Sequence, residues 1–198
     1  MSTTDKKTSE IRCAAQQIII SRTDLEGNII YHNPTFAEVN GFQGSSCIHK
    51  PHNIVRHPDM PKTIFKIIWS IIEQGLPIQA VLKNKTNDGH YYWTLINWKV
   101  QKDADNNIIS YVAYGKQAPD HVIEKMEPLY KMMLEIEKDH DMDSALKYLH
   151  AFLDEEGVNY SQYMEKLVKH REFRCLCDFV KHALTGTKKK RRKKKRRF

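Results

Sequence analysis

"IQAVLKNKTNDGHYYWTLINWKV", residues 78–100, decides the fold. Two runs rich in β-branched and aromatic residues flank Asn87-Asp88-Gly89, a turn cluster that reads as a hairpin. A third run, "IISYVAYGK" (108–116), follows an Asp105-Asn106-Asn107 turn, so three strands are expected in succession. Upstream, "IIISRTDLEGNIIYHN" (18–33) reads as two more strands around Glu26-Gly27-Asn28. The strands lack the regular alternation with helices that a parallel sheet needs. The expected architecture is α+β: a five-stranded antiparallel sheet with helices on one face and a ligand pocket beneath them.

Helices fill the gap between the two strand blocks. Asn33-Pro34 reads as an N-cap followed by proline at the first helical position, and Gly41 ends that short helix. In "PKTIFKIIWSIIEQG" (61–75), Ile64, Phe65, Ile68, Ile71 and Ile72 recur at helical spacing, so one side of a longer helix is buried. The bend between the helices, "PHNIVRHPDMPK" (51–62), sets His52, Arg56, His57 and Asp59 among three prolines. Proline fixes backbone angles, so these side chains are presented in one shape. Asp59 is also the expected cap of the helix that follows, and Arg56 could pair with a carboxylate. Trp69, Tyr92, Trp93 and Trp98 offer flat surfaces for a conjugated ring, and Asn33 and Asn84 offer polar edges. Trp69 is favoured for the pocket because it lies off its helix's main apolar stripe.

The composition turns helical after Pro119. Ile123, Met126, Leu129, Met133 and Ile136 recur at helical spacing, with Pro128 expected to kink that helix or start it anew. "MDSALKYLHAFLDEEG" (142–157) reads as a second helix capped by Asp143, and 159–186 as a third. These amphipathic helices should pack on one another or on a partner. The expected divisions are a flexible lead (1–16), a sensor domain (17–118), a helical extension (119–186) and a disordered basic tail (187–198). His170, Cys175, Cys177 and His182 cluster in the third helix. Residues two apart on a helix point about 200° apart, so Cys175 and Cys177 do not share one ion, and no metal site is expected.

The net charge of +8 comes from the tail, where Lys188–Arg197 is ten consecutive basic residues. Without those ten, 22 Lys and Arg stand against 24 Asp and Glu, a nearly neutral body. No apolar run approaches the roughly 18 residues a membrane span needs, and no signal-peptide core is present. Four cysteines lack the spacing of a secreted disulfide framework, so a cytoplasmic protein is expected. Neither GxGxxG nor GxxxxGK[ST] occurs, which argues against Rossmann and P-loop nucleotide sites. No nucleophile or metalloprotease motif is present, so an enzyme is not expected.

Five segments carry a resemblance. "SRTDL" (21–25), "NPTFAEVNGF" (33–42), "PHNIVRHPDMPKTIFKIIW" (51–69), "KNKTNDGHYYW" (83–93) and "EPLYK" (127–131) resemble, in order and spacing, the PAS sensor domain of bacterial aerotaxis receptors. The resemblance implies a PAS fold holding FAD and reporting the redox state of electron transport to the chemotaxis machinery. It implies pocket or pocket-supporting roles for Asn33, His52, Arg56, His57, Asp59, Trp69 and Asn84, to which Trp93 is added as a stacking surface. The family's membrane anchor, HAMP unit and signalling domain have no counterpart here. A stand-alone sensor is therefore expected to act in trans on a membrane chemoreceptor that carries those parts.

Three positions depart from the family. Ile78 follows Pro77 where tryptophan is frequent, Leu95 stands where arginine is expected, and Trp98 stands where a small residue is usual. A haem-binding gas sensor and a cofactor-free interaction module that forms a PAS dimer are the alternatives. The basic tail suits an anionic membrane surface at about 1 kcal/mol per Lys or Arg. Nucleic acid is ranked lower as a partner, because no groove-reading element accompanies the charge.

Overall fold

The computed structural model describes residues 9–169. Strands β1 (Ile19–Thr23) and β2 (Ile29–His32) form the first hairpin; β3 (Ile78–Lys85), β4 (Tyr91–Lys102) and β5 (Ile108–Gln117) form a meander. The sheet order is β2-β1-β5-β4-β3, and every neighbouring pair is antiparallel. The last strand thus closes against the first, which brings Ile19 opposite Gly115 and sets the distant hairpins in one sheet. Gly115 sits close to its neighbours there: a Cβ would touch Ile96 Cγ1 at 3.4 Å and Ile19 Cβ at 3.7 Å, ordinary van der Waals contacts.

Helix α1 (Pro34–Asn40) begins as its sequence predicts. The Asn33 side chain accepts from Phe36 N (3.0 Å), Pro34 opens the helix, and Gly41 ends it in the left-handed region at φ 69°. A 3-10 turn (His52–Val55) then leads to α2 (Lys62–Ile72), which lies over the sheet. The expected Asp59 cap on α2 is not formed. Pro61 occupies the N-cap position without a side-chain bond, and Asp59 Oδ2 instead accepts from Lys83 Nζ at 2.6 Å.

Two helices follow the sheet. α3 (Asp120–Asp139) runs on through Pro128, so of the two expected outcomes, a kink or a restart, the restart does not occur; Met126, Leu129, Tyr130 and Met133 on both sides of it are buried in one core. α4 (Met142–Glu155) is capped by Asp141, whose side chain accepts from Ser144 N at 2.7 Å; the expected Asp143 instead pairs with Lys66 at 3.0 Å. A further helical stretch covers 160–169, opened by Asn159 accepting from Gln162 N at 2.9 Å. The predicted cysteine–histidine cluster and the basic tail lie outside the described residues.

Strand parity sorts the side chains. Ala80, Leu82 and Asn84 of β3 face inward with Tyr92, Thr94, Ile96 and Trp98 of β4, beneath α1 and α2. Val81, Lys83, Trp93 and Leu95 take the opposite parity and face the other side. α3 packs there: just before it Ala118 N donates to Trp93 O (3.1 Å), and within it the Tyr130 hydroxyl donates to Val81 O (2.9 Å). The C-terminal helices therefore share one core with α2, β3 and β4. A smaller core, around Ile29, Phe36, Cys47 and Tyr92, lies under α1.

The N-terminal segment was expected to be flexible through residue 16. Residues 9–13 are pinned instead: Ile11 N donates to Tyr91 O (2.8 Å), Arg12 pairs with Asp120 (2.6 Å), and Cys13 N donates to Gln117 Oε1 (3.0 Å). These bonds close over the end of β4 beyond the reach of β5. Among the described residues, no helix is long and apolar enough to cross a membrane.

Candidate functional site

A cavity of about 280 Å³ lies between α2 and the inner face of the sheet. The α2 periodicity supplies Phe65, Ile68, Trp69 and Ile72 to its wall, and strand parity supplies Leu82, Asn84, Trp98 and Tyr111. Trp69 and Tyr111 meet edge to face with centroids 5.4 Å apart, a favourable arrangement that fixes both rings. Gly27 closes the rim. A Cβ there would lie 2.9 Å from Trp69 Cζ2, and its φ of +85° suits glycine in any case.

Three polar groups on the wall have distinct states. His52 is partly buried, with Nε2 2.8 Å from Ser21 Oγ and its backbone N donating to Gly27 O at 2.9 Å. Burial pushes its pKa down to about 4, so the imidazole is neutral. Arg56 donates from Nη2 to Met60 O (2.8 Å) and lies over the Phe65 ring at 4.3 Å from the centroid. Burial lowers its pKa, yet a guanidinium stays charged at any physiological pH. Asn84 Nδ2 donates to Thr94 Oγ1 (3.0 Å), and its backbone bridges to Arg56, which ties the bend to β3. Aromatic faces, a neutral donor–acceptor and one half-buried cation thus converge on one small cavity.

Four of the eight predicted site residues are brought together here: His52, Arg56, Trp69 and Asn84. The other four are placed elsewhere. Asn33 spends its side chain on the backbone, accepting from Ile20 N and Phe36 N (3.0 Å each) and donating to Ile18 O (2.7 Å). It pins α1 to β1. Replacing it with alanine is expected to cost about 1–3 kcal/mol through the lost cap and the unpaired backbone groups. Urea denaturation checks this; an unchanged midpoint would refute the pinning role.

His57, Asp59 and Trp93 lie on the far side of β3. His57 Nδ1 accepts from Asp59 N (3.1 Å) while its ring meets Tyr91, and Asp59 holds Lys83. Trp93 is buried on the outer parity of β4. Asp59 and Trp93 border a second cavity of about 680 Å³, under α3, with Glu127, Lys131 and Lys138. Arg56 makes its hydrogen bond to a carbonyl rather than to a carboxylate, and Glu137 acts on it only through its charge. Sequence reading missed Phe65 and Tyr111 as cavity walls. Of the departures from the aerotaxis pattern, Trp98 lines the cavity, whereas Leu95 is buried on the opposite face.

A family model described as PAS fold matches residues 29–114. Those residues form a PAS domain. The aerotaxis receptor of Escherichia coli (strain K12) is 36% identical over 115 residues, which is 58% of this chain and 22% of that receptor. The bacterioopsin transcriptional activator of Halobacterium salinarum is 24% identical over 109 residues, 55% of this chain and 16% of that protein. The chain thus matches at most about a fifth of the length of these relatives. Among solved structures, a light-oxygen-voltage domain studied with a flavin analogue superposes with a TM-score of 0.50 at 20% identity, over 57% of this chain and 84% of that one. At that identity the likeness speaks for the PAS fold alone.

Proposed function

We propose that this PAS domain binds FAD with the isoalloxazine ring in the cavity under α2 and signals redox state in trans to a membrane chemoreceptor. The observation that carries the reading is the convergence of Trp69, Trp98 and Tyr111 with Asn84, neutral His52 and the Arg56 cation on one cavity. A volume of about 280 Å³ sits just below the usual span of roughly 300–1,000 Å³ for small-molecule pockets, which suits the ring end of a dinucleotide. The rest of the ligand then extends past Arg56, whose cation suits a phosphate. Bound flavin supplies reversible electron uptake; the chain orients the ring and biases it through the groups at its edge. The 36% identical aerotaxis receptor supports the signalling class, and the aromatic and polar lining of the cavity supports a conjugated-ring ligand.

Haem has less support. His52 is the histidine on the cavity wall, and its Nε2 is engaged by Ser21 Oγ. The chemoreceptor partner carries the HAMP and signalling parts, and the sheet passes it the rearrangement. Residues 188–197 bring the protein to the anionic inner face of the cytoplasmic membrane, at about 1 kcal/mol per basic residue near the surface.

Replacing Arg56 with alanine removes a charged hydrogen-bond donor worth about 1.5–3 kcal/mol, so FAD affinity should fall about 10–100-fold. Asp59→Ala, on the far side of β3, should leave affinity within about twofold. Fluorescence titration with FAD measures both. Equal losses in the two variants would remove Arg56 from the site.

A further inference from the structure

Helix α2 has two working sides. Phe65, Ile68, Trp69 and Ile72 wall the cavity, while Thr63, Lys66, Ile67 and Ile71 meet the C-terminal helices. Its N-terminus is unusual, because Pro61 at the cap position provides no side-chain bond to the exposed amides. The cap comes from α3, 74 residues away in the chain. Glu137 accepts from Lys62 N at 2.8 Å, from Thr63 N at 2.7 Å and from Thr63 Oγ1 at 2.7 Å. Thr63 Oγ1 also lies 3.2 Å from Met142 O, and Lys66 pairs with Asp143 at 3.0 Å. The junction of α3 and α4 thus grips the first turn of the helix that covers the cavity.

The capped turn is continuous with the cavity wall, since Met60, which Arg56 holds, lies two residues before Lys62. Arg56 holds Met60 O just before α2 begins, and Glu137 is the charge that offsets the burial of its guanidinium. Met60 itself is 1% exposed, and its sulfur accepts from Lys83 N at 3.3 Å. Arg56, Met60 and the α2 N-terminus are therefore one short mechanical unit, with a ligand cavity on one side and α3 on the other.

We propose that Glu137 is a positioning residue of this cavity, so that ligand binding beside Arg56 and the seating of α3 and α4 on α2 form one coupled equilibrium. The proposal rests on the reading of the cavity as the ligand site. It adds a route through α2 to the route through the sheet. An anionic group against Arg56, such as a nucleotide phosphate, competes with Met60 O for the guanidinium and shares its charge with Glu137. By linkage, whatever loosens α3 from α2 must change ligand affinity by the same factor with which the ligand changes the seating of α3.

The test uses the full chain with FAD as the probe and Glu137→Gln, which keeps an acceptor and loses the charge. FAD should change hydrogen exchange of the α3 amides around residues 133–139 in the unaltered protein. In Glu137→Gln that response should vanish, and affinity should fall about 5–20-fold, within the usual range of coupling between sites. Glu137→Asp, which restores the charge, should recover part of the affinity. A purely structural cap would lower the melting temperature and leave the affinity of the folded protein unchanged, and that result overturns the proposal. A second arm needs no cofactor. The effects of Arg56→Gln and Glu137→Gln on α3 exchange should be strongly non-additive, and additive effects overturn the coupling. If the unaltered chain takes up no FAD, the flavin reading fails, and the non-additivity of the second arm decides the coupling by itself.

Discussion

A chain ending at Ala118 is expected to lose at least about 4 kcal/mol of folding stability, against the 5–15 kcal/mol typical of a domain. Sequence marks residue 119 as the start of an extension, but packing does not stop there. Removing α3 and α4 uncovers Ile67, Ile71, Val81, Trp93 and Leu95, all part of one core or packed against it. Burial of each such side chain is worth about 1.5–3 kcal/mol. The cut also strips the α2 N-terminus of its Glu137 cap and leaves Val81 O without the Tyr130 hydroxyl. Thermal and urea denaturation of the full chain and of residues 1–118 make the comparison. A melting temperature within about 5 °C of the full chain, the shift expected for only about 1–2 kcal/mol, would show that the helices are merely appended.

Acid should destabilise the fold through His52 before the carboxylates titrate. The folded-state pKa is depressed to about 4 from 6.5, because burial disfavours the imidazolium. Below pH 6.5 the unfolded chain binds a proton that the folded chain refuses. Stability is therefore fully present above pH 6.5 and falls as the pH drops toward 4. Between pH 7 and pH 5 the loss from this one group is about 2 kcal/mol. His57, pushed down first by burial, adds to the same slope. Urea denaturation at the two pH values should show a clearly smaller difference in His52→Gln than in the unaltered chain. Identical slopes would mean that His52 is already solvated or charged in the fold.

Local chemistry made the fold legible. The turn clusters, the Asn33-Pro34 helix start and the α2 periodicity each act within a few residues, and each element formed where those signals lie. The site was only half legible, because what separates a ligand group from a scaffold group is long-range. Asn33 reads equally as a cap or as a ligand donor; only its bonds to Ile20 N and Ile18 O settle the use of its side chain. Local sequence points to Asp59 as the α2 cap, but Glu137 supplies the capping carboxylate from α3. The tryptophans of β4 could have been sorted beforehand. Trp93 and Trp98 are five residues apart, so a strand must turn them to opposite faces. Pairing β3 with β4 across Asn87-Asp88-Gly89 puts Asn84 opposite Tyr92, and hence Trp98 on the side of Asn84 and Trp93 away from it. The same parity explains why Leu95 cannot alter the cavity, whereas Trp98 narrows it.

The visible absorption spectrum of the full chain, after incubation with FAD and removal of free ligand, tests the central claim most directly. The account predicts a two-band flavin spectrum travelling with the protein, and its marked loss in a folded Trp69→Ala variant that keeps the sheet but opens the aromatic wall. A folded protein that emerges colourless, or a Trp69→Ala variant that holds flavin as well as the unaltered chain, would contradict a flavin between α2 and the sheet.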